Sequence, residues 1–584
     1  MLRPIALLFS GAVALSAAPA LDVWHARSEI RAVEPATALK LTGLRQGDLY
    51  RPRLTNTGKT PVHVKEVSLF RIAHRLSDAT ALYGESFQML TQTTGTLGQP
   101  VDLAYDELKH YKLPQPADAK VVTGMMTLTP PGGETMLLGF TSCHRFNGRF
   151  FLRPKSIEVV LDTEGLALGP GESWDLEEFT FTSGPNRAAL LAALADRIGH
   201  NHPPLRFKVP PAGWCSWYCF GSRVTAKNVM DNLASIVQDA PALKYVQLDD
   251  GYQPAMGDWL ETGKAFGGDV RGVLQAIRQQ GFEPAIWVGP FIAEAGSHVF
   301  QQHPDWFMQG EDGKPLPADK VTFQGWRRGP WYALDGTNPE VQKHLENVFR
   351  TMRHTWGVTY FKLDANFWGA MHGGKLHDPK ATRIEAYRRG MQAVLRGAGD
   401  AFILGCNHPI WPSFGLIHGS RSSGDIKRTW DTFRKVARQN LLRNWQNGKL
   451  WWNDPDAVTL SGAMPMEEYR FHASAIMASG GLVLSGDDLA TLPADRLAML
   501  KKLLPPTGVA AEFENEALTV GTVKLKDRTL LCVFNWSDEA AKIPVKLPRP
   551  GEVSDLWSGQ DYGRQTALEL PLKAHEGTVL VVRY

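Results

Sequence analysis

Three changes of texture along the 584-residue sequence predict a multidomain fold of the α/β plus β class. Residues 21–205 hold short alternating runs broken by Gly, Pro, Asn and Asp, the pattern of an N-terminal β-sandwich domain. Residues 206–500 alternate apolar strand-like runs with amphipathic helical ones, the pattern of a central (β/α)8 TIM barrel. Residues 505–584 return to alternation and predict a small C-terminal antiparallel β domain. The length itself asks for more than one core. A content of 43% hydrophobic and 21% charged residues is ordinary for a folded chain.

Taken in chain order, residues 1–20 predict a signal peptide. Arg3 supplies the positive charge, Ile5 to Leu15 the apolar stretch, and Ala18-Pro19-Ala20 a small-x-small cleavage site. The stretch is too short to span a bilayer, and no later segment approaches about 18 uninterrupted apolar residues. The expectation is an exported protein, periplasmic or extracellular, with no membrane partner. The sandwich is read from runs such as Val62-His63-Val64-Lys65-Glu66-Val67 and Ile157-Glu158-Val159-Val160-Leu161. Pro130-Pro131-Gly132-Gly133 and Gly169-Pro170-Gly171 punctuate them as turns, and helical periodicity appears near Asn186 to Ile198.

The barrel is read from eight strand candidates: Ala212–Tyr218, Tyr245–Asp250, Pro284–Pro290, Thr359–Asp364, Phe402–Cys406, Ile417–Arg421, Leu450–Asn453 and Gly481–Gly486. Helical runs at Ala226–Gln238, Val270–Gln280, Asn338–Trp356 and Ala381–Ala398 separate several of them. An open doubly wound sheet is the alternative, but no Gly-x-Gly-x-x-Gly turn supports a dinucleotide site. After Pro505-Pro506, Ala517–Lys524, Thr529–Phe534, Lys542–Leu547 and Gly577–Val582 read as antiparallel strands.

Several function classes drop out on composition. A net charge of +3 with no basic stripe gives no reason to expect nucleic acid. Five cysteines, odd in number and sparsely spaced, imply no disulfide framework. Cys215 and Cys219 lack further ligands at metal-binding spacing, so they read as packed thiols, and no metal or other cofactor is expected. With 18 Trp against 13 Tyr, the aromatic content either stacks on sugar C–H faces or fills large cores.

The chemistry gathers where the apolar runs of the barrel finish. Lys362 and Asp364 are two apart, so on a strand they point to one side. An ammonium there would keep the carboxylate ionised, as a nucleophile requires. The neighbouring runs end in Asp249-Asp250, Cys406-Asn407-His408-Pro409, Arg421-Ser-Ser-Gly-Asp425 and Asn453-Asp454-Pro455-Asp456, with Trp287 on the third. Barrel strand ends converge on one pocket. Two carboxylates of different character, one an ionised nucleophile and one a protonated acid, are what glycosidic bond cleavage needs. Asp364 suits the first role and Asp425 the second, which requires a raised pKa at Asp425. Each motif also has a structural reading. Lys362 and Asp364 can be a buried ion pair, Asp249-Asp250 a helix cap, and Arg421 a rim ion-pair partner. Asp456 reads as part of a turn, His408 as a satisfied loop histidine, and Met464-Pro465-Met466 as packing.

In order, Gly213-Trp-Cys-Ser-Trp-Tyr218, Leu248-Asp-Asp-Gly-Tyr252, Ile286-Trp-Val-Gly-Pro-Phe291, His303-Pro-Asp-Trp306, Tyr360-Phe-Lys-Leu-Asp364 and Trp452-Asn-Asp-Pro-Asp456 resemble the motif set of glycoside hydrolase family 36, in clan D with family 27. The resemblance is to the family's α-galactosidases and covers about 211–490; over the flanks it covers architecture only. It implies a retaining double displacement without metal, with Asp364 attacking the anomeric carbon and Asp425 serving as acid and then base. Asp249 and Asp250 would accept hydrogen bonds from the O4 and O6 region, and Lys362 and Arg421 would hold sugar hydroxyls. Trp217, Tyr218 and Trp287 would wall the pocket, Cys406 and Asn407 would meet the C2 side, and Ile410 would exclude an N-acetyl group. Many larger family members carry Cys-x-x-Gly-Gly where this chain has Cys406-Asn407-His408-Pro409, and the acid loop keeps only its Arg and Asp spacing. The implied partner is an α-galactoside oligosaccharide, and a homo-oligomer is compatible with the sequence. The alternatives are an α-N-acetylgalactosaminidase, a β-L-arabinopyranosidase, a galactosyl transferase of the raffinose type, and a carbohydrate-binding protein on an inactive barrel.

Overall fold

The structure is a computed structural model that describes residues 21–584 except 36, 37 and 106. The signal peptide expected at 1–20 lies outside the described residues. Among those described, no helix is long and apolar enough to cross a membrane.

Two antiparallel sheets, of five and nine strands, make the N-terminal sandwich. Their alternating strands turn aromatic rings inward: Phe70 of the first sheet meets Phe179 of the second at 5.5 Å, and Phe150 meets Phe140 at the same distance. The helix expected near 186–198 runs from Arg187 to Asn201, capped by Asn186, whose Oδ1 accepts the Ala189 amide at 3.0 Å.

The eight barrel strands are all found, and all pair in parallel. They are β1 (Ala212–Cys215), β2 (Tyr245–Leu248), β3 (Glu283–Val288), β4 (Tyr360–Leu363), β5 (Phe402–Gly405), β6 (Gly419–Arg421), β7 (Trp452–Asp454) and β8 (Val483–Ser485). Strand β8 pairs back onto β1. Between β7 and β8 the ring is bridged by amides of Leu482 and Val458, which donate to Asn453 O (2.8 Å) and Leu484 O (2.7 Å). Gly481 makes that approach fit, since a Cβ there would lie 1.9 Å from Asn453 O. The first strand is shorter than expected. After Cys215 the chain turns into a helical turn, Trp217–Phe220, so Trp217 and Tyr218 stand on that turn rather than on a strand.

One connection is unlike the rest. Between β3 and β4 the chain makes an excursion carrying its own antiparallel pair, Ile292–Glu294 with Trp331–Ala333, before the helix Pro339–His354. Six tryptophans, Trp214, Trp259, Trp287, Trp331, Trp368 and Trp411, are among the largest fully buried side chains, so much of the indole content serves packing. The C-terminal unit is a six-stranded antiparallel sheet. It contains a long strand pair, Ala541–Asp555 with Asp561–Leu572, of which the sequence reading found only the first half of the first member.

Candidate active site

The pocket lies at the C-terminal ends of the barrel strands, and its floor is built across strands rather than along them. Asp364 follows the last residue of β4, and Ala365 after it adopts a left-handed conformation (φ 55°). That turn carries the carboxylate away from its own strand. Its Oδ2 accepts the Trp287 indole N–H of β3 at 3.0 Å. Its Oδ1 accepts the Ala365 amide at 2.7 Å and Asn407 Nδ2 at 2.8 Å. Three N–H donors therefore orient a carboxylate whose residue is only 8% exposed. Asn407, itself at φ 43°, also accepts the Tyr111 hydroxyl of the sandwich at 3.3 Å. Left-handed non-glycine residues cluster here, and such backbone strain concentrates at functional sites.

The expected Lys362–Asp364 ion pair is not what forms. Lys362 lies within the strand and points across the barrel interior to β2, where its Nζ donates to Asp249 Oδ2 at 2.9 Å. Burial opposes the ammonium charge, but Asp249 and other neighbours override it and hold Lys362 well above the ordinary lysine range. Asp249 is held further by Gln247 Nε2 at 2.8 Å and the Cys215 thiol at 3.4 Å, and its other oxygen accepts the Asp250 amide at 2.9 Å. Asp250 accepts Gln253 Nε2 at 2.7 Å, the Trp326 indole N–H at 3.4 Å and the Arg327 guanidinium. Burial leads and leaves its carboxyl above the usual range. Neither aspartate caps a helix.

Trp326 and Arg327 come from the β3–β4 excursion, and sequence reasoning missed both. The segment Gln324-Gly-Trp-Arg-Arg-Gly-Pro330, two arginines beside an indole between glycines, was the available signal.

At the other end of the pocket, the Arg421 guanidinium serves two carboxylates. Its Nη2 donates to Asp425 Oδ1 at 2.8 Å and Asp456 Oδ2 at 2.7 Å, and its Nη1 to Cys406 Sγ at 3.8 Å. The Tyr218 hydroxyl joins the same group, donating its one proton to Asp456 while Asp425 Oδ1 lies 3.5 Å away. The two acids differ in setting. The Asp425 side chain is 58% exposed, whereas that of Asp456 is 5% exposed. For Asp425 the burial of its surroundings works upward, but Arg421 and Lys362 outweigh it and the carboxyl lies below its ordinary value. Burial pushes Asp456 up to about 6. The expectation that Asp425 carries the raised pKa is thus reversed, because an exposed carboxylate beside a buried guanidinium keeps its charge. Of the two acids on Arg421, Asp456, read from sequence as part of a turn, is the one with the raised value.

The remaining sequence candidates flank this network. Trp217 is half-buried beside Tyr218. Cys406 is buried under Arg421. Ile410 is buried at the seam with the sandwich, its amide donating to Phe87 O at 2.9 Å. His408 is fully buried against Ser420 Oγ, with burial lowering its pKa to about 3, which fits a packed, uncharged ring.

The loop that carries Asp425 is fixed from below. Gly424 N donates to Gln439 Oε1 at 2.9 Å, and Arg443 Nη1 to Ser422 O at 3.0 Å.

A barrel with paired carboxylates and indoles at its strand ends, between two β domains, is a build suited to glycosidic bond cleavage. Residues 229–396 match the Melibiase family. Alpha-galactosidase 3 of Arabidopsis thaliana is 26% identical over 301 residues, which span 47% of this chain and 66% of that protein. Among solved structures, TtGalA, an alpha-galactosidase from Thermus thermophilus in complex with p-nitrophenyl alpha-D-galactopyranoside, aligns with TM-score 0.62 and 23% identity, covering 83% of this chain and 98% of that one. A second structure of that enzyme holds stachyose. The GH36 alpha-galactosidase AgaA from Geobacillus stearothermophilus aligns with TM-score 0.66 and 12% identity, over 94% and 81% of the two chains. The resemblance to family 36 α-galactosidases is therefore upheld, and so is the three-part architecture.

Proposed function

We propose that this chain is a retaining α-galactosidase that removes terminal α-linked galactose from oligosaccharides or glycoconjugates through a galactosyl-aspartate intermediate. The observation that carries the reading is the posture of Asp364. It is a buried carboxylate held by three N–H donors from β3, β5 and its own turn. Asp425 stands in the same pocket on a side open to solvent.

Asp364 attacks the anomeric carbon while the acid end protonates the departing glycosidic oxygen. In the second step the same acid, now a carboxylate, takes a proton from water that attacks the ester. Asp249, Asp250, Lys362 and Arg327 offer acceptors and donors for the hydroxyls of a sugar with an axial O4. The Melibiase match, the α-galactosidase relatives and the galactoside-bound Thermus enzyme support the choice of galactose. Export, resting on the leader at 1–20, belongs to the same proposal.

Turnover of 4-nitrophenyl α-galactoside tests it. Asp364→Ala should lose about 10^4-fold or more in kcat, as removal of a nucleophile does. A variant that keeps a tenth of the activity, or a wild type that prefers the α-glucoside, the N-acetylgalactosaminide or the β-L-arabinopyranoside, would sink the reading.

A further inference from the structure

The acid marks a second place in the pocket. It delivers its proton to the glycosidic oxygen, so the leaving group must lie next to Asp425, beyond the galactose site. More than half of the Asp425 side chain (58%) faces open space there.

The side chain standing over that space comes from the sandwich. Tyr105 is 38% exposed, and its Cε2 lies 3.9 Å from where a Cβ on Gly424, the residue before Asp425, would sit. Its ring is 4.8 Å from that of His110, which stacks at 4.6 Å and 27° on Phe323 of the β3–β4 excursion. The backbone beneath the row is fixed. Thr91 Oγ1 donates to Tyr105 O at 2.8 Å, Ala104 is left-handed (φ 68°), and Tyr111 reaches Asn407. Burial first, and Asp425 second, raise the Tyr105 phenol, the electrostatic trace of the same proximity. Burial also lowers the His110 pKa, which favours an uncharged ring.

We propose that Tyr105, backed by His110 and Phe323, is an aromatic platform on which the leaving-group sugar stacks, so that the sandwich supplies the aglycone subsite of the barrel. A pyranose offers a C–H face to such a ring, and an aryl aglycone offers a π face. The site rests on the galactosidase reading and adds the side of the bond which that reading leaves undefined. It explains why a segment from another domain is tied to Asn407, a partner of Asp364.

The test compares two donors with the same galactosyl group. One is an α-galactosyl-glucose disaccharide, whose leaving group is a pyranose; the other is α-galactosyl fluoride, whose leaving atom has nothing to stack. Tyr105→Ala should lower kcat/KM for the disaccharide about tenfold more than for the fluoride. Tyr105→Phe, which keeps the ring, should restore most of the difference without moving the basic limb of the pH profile. Equal losses on both donors, or a Phe variant as impaired as the Ala variant, would overturn the platform while leaving the galactosidase reading intact. A wild type inert toward both donors would remove the galactosidase reading and the subsite with it.

Discussion

One guanidinium sets the charge of both carboxyls at the acid end of the pocket. Because Arg421 Nη2 bonds Asp425 and Asp456 together, a proton taken up there belongs to the pair rather than to either residue. Asp456 is pushed up to about 6 while Asp425 is held down. A group that must be protonated to act loses activity as pH rises through its pKa. For a disaccharide with an unactivated leaving group, kcat/KM should therefore fall as pH rises through about 6. Asp456→Asn removes the like charge and leaves Arg421 to Asp425 alone, which makes Asp425 harder to protonate. The basic limb should move to lower pH for the disaccharide, and much less for α-galactosyl fluoride, whose departure needs no proton. A limb that stays in place would show that Asp456 has no part in the acid's titration. At this scale the sequence was readable where a carboxylate ends an apolar run, as at Asp249, Asp250 and Asp364. It misled where partners lie across strands: spacing two apart suggests Lys362 with Asp364, but the ammonium's reach to β2 is set by barrel geometry. Arg327, Trp326 and Tyr105 had no such marker, because they arrive from an irregular excursion and from a different domain.

All eight barrel strands were legible, because parallel strands buried on both faces read as continuous apolar runs. Their ends were less so. The aromatic run after Cys215 has strand-like composition, yet it forms a helical turn, which is what swings Tyr218 toward Asp456. The strand Asp561–Leu572 went unread because only Leu570 and Leu572 in it are buried, so alternation is faint. The closure between β7 and β8 could not be read at all, since it depends on one backbone approach at Gly481. A methyl group there would meet Asn453 O, a main-chain atom that cannot step aside. Gly481→Ala should cost about 1–3 kcal/mol, as over-packing does, and should lower Tm. An unchanged Tm would mean the strands separate without penalty.

At the scale of the whole molecule, the sandwich and the barrel share a polar seam. Arg443 of the barrel, 1% exposed, is paired with Glu85 of the sandwich, 0% exposed, at 2.6 Å. It also donates to Thr91 O at 3.0 Å. Gln92 and Gln439 exchange side-chain bonds with each other's neighbourhoods, Nε2 of the first to Gln439 O at 3.0 Å and Nε2 of the second to Leu90 O at 3.1 Å. Glu85→Ala would strand the Arg443 charge in the interior, at a cost of about 3–5 kcal/mol. Tm should drop accordingly, and kcat should drop with it, because Arg443 and Gln439 hold the loop that carries Asp425. A stability loss no larger than that of a surface substitution would contradict the seam's role. The three-domain order was clear from texture alone, but this joint was not, because its partners are hundreds of positions apart.

The Arg443–Glu85 contact has a consequence for anyone who would treat the barrel as a portable catalytic cassette. Cut free of the sandwich, it would keep every residue of the nucleophile and acid pair, yet expose an arginine designed for the interior and release the loop above it. The smallest unit that works is set by where that buried charge finds its counter-ion, and that place lies outside the barrel.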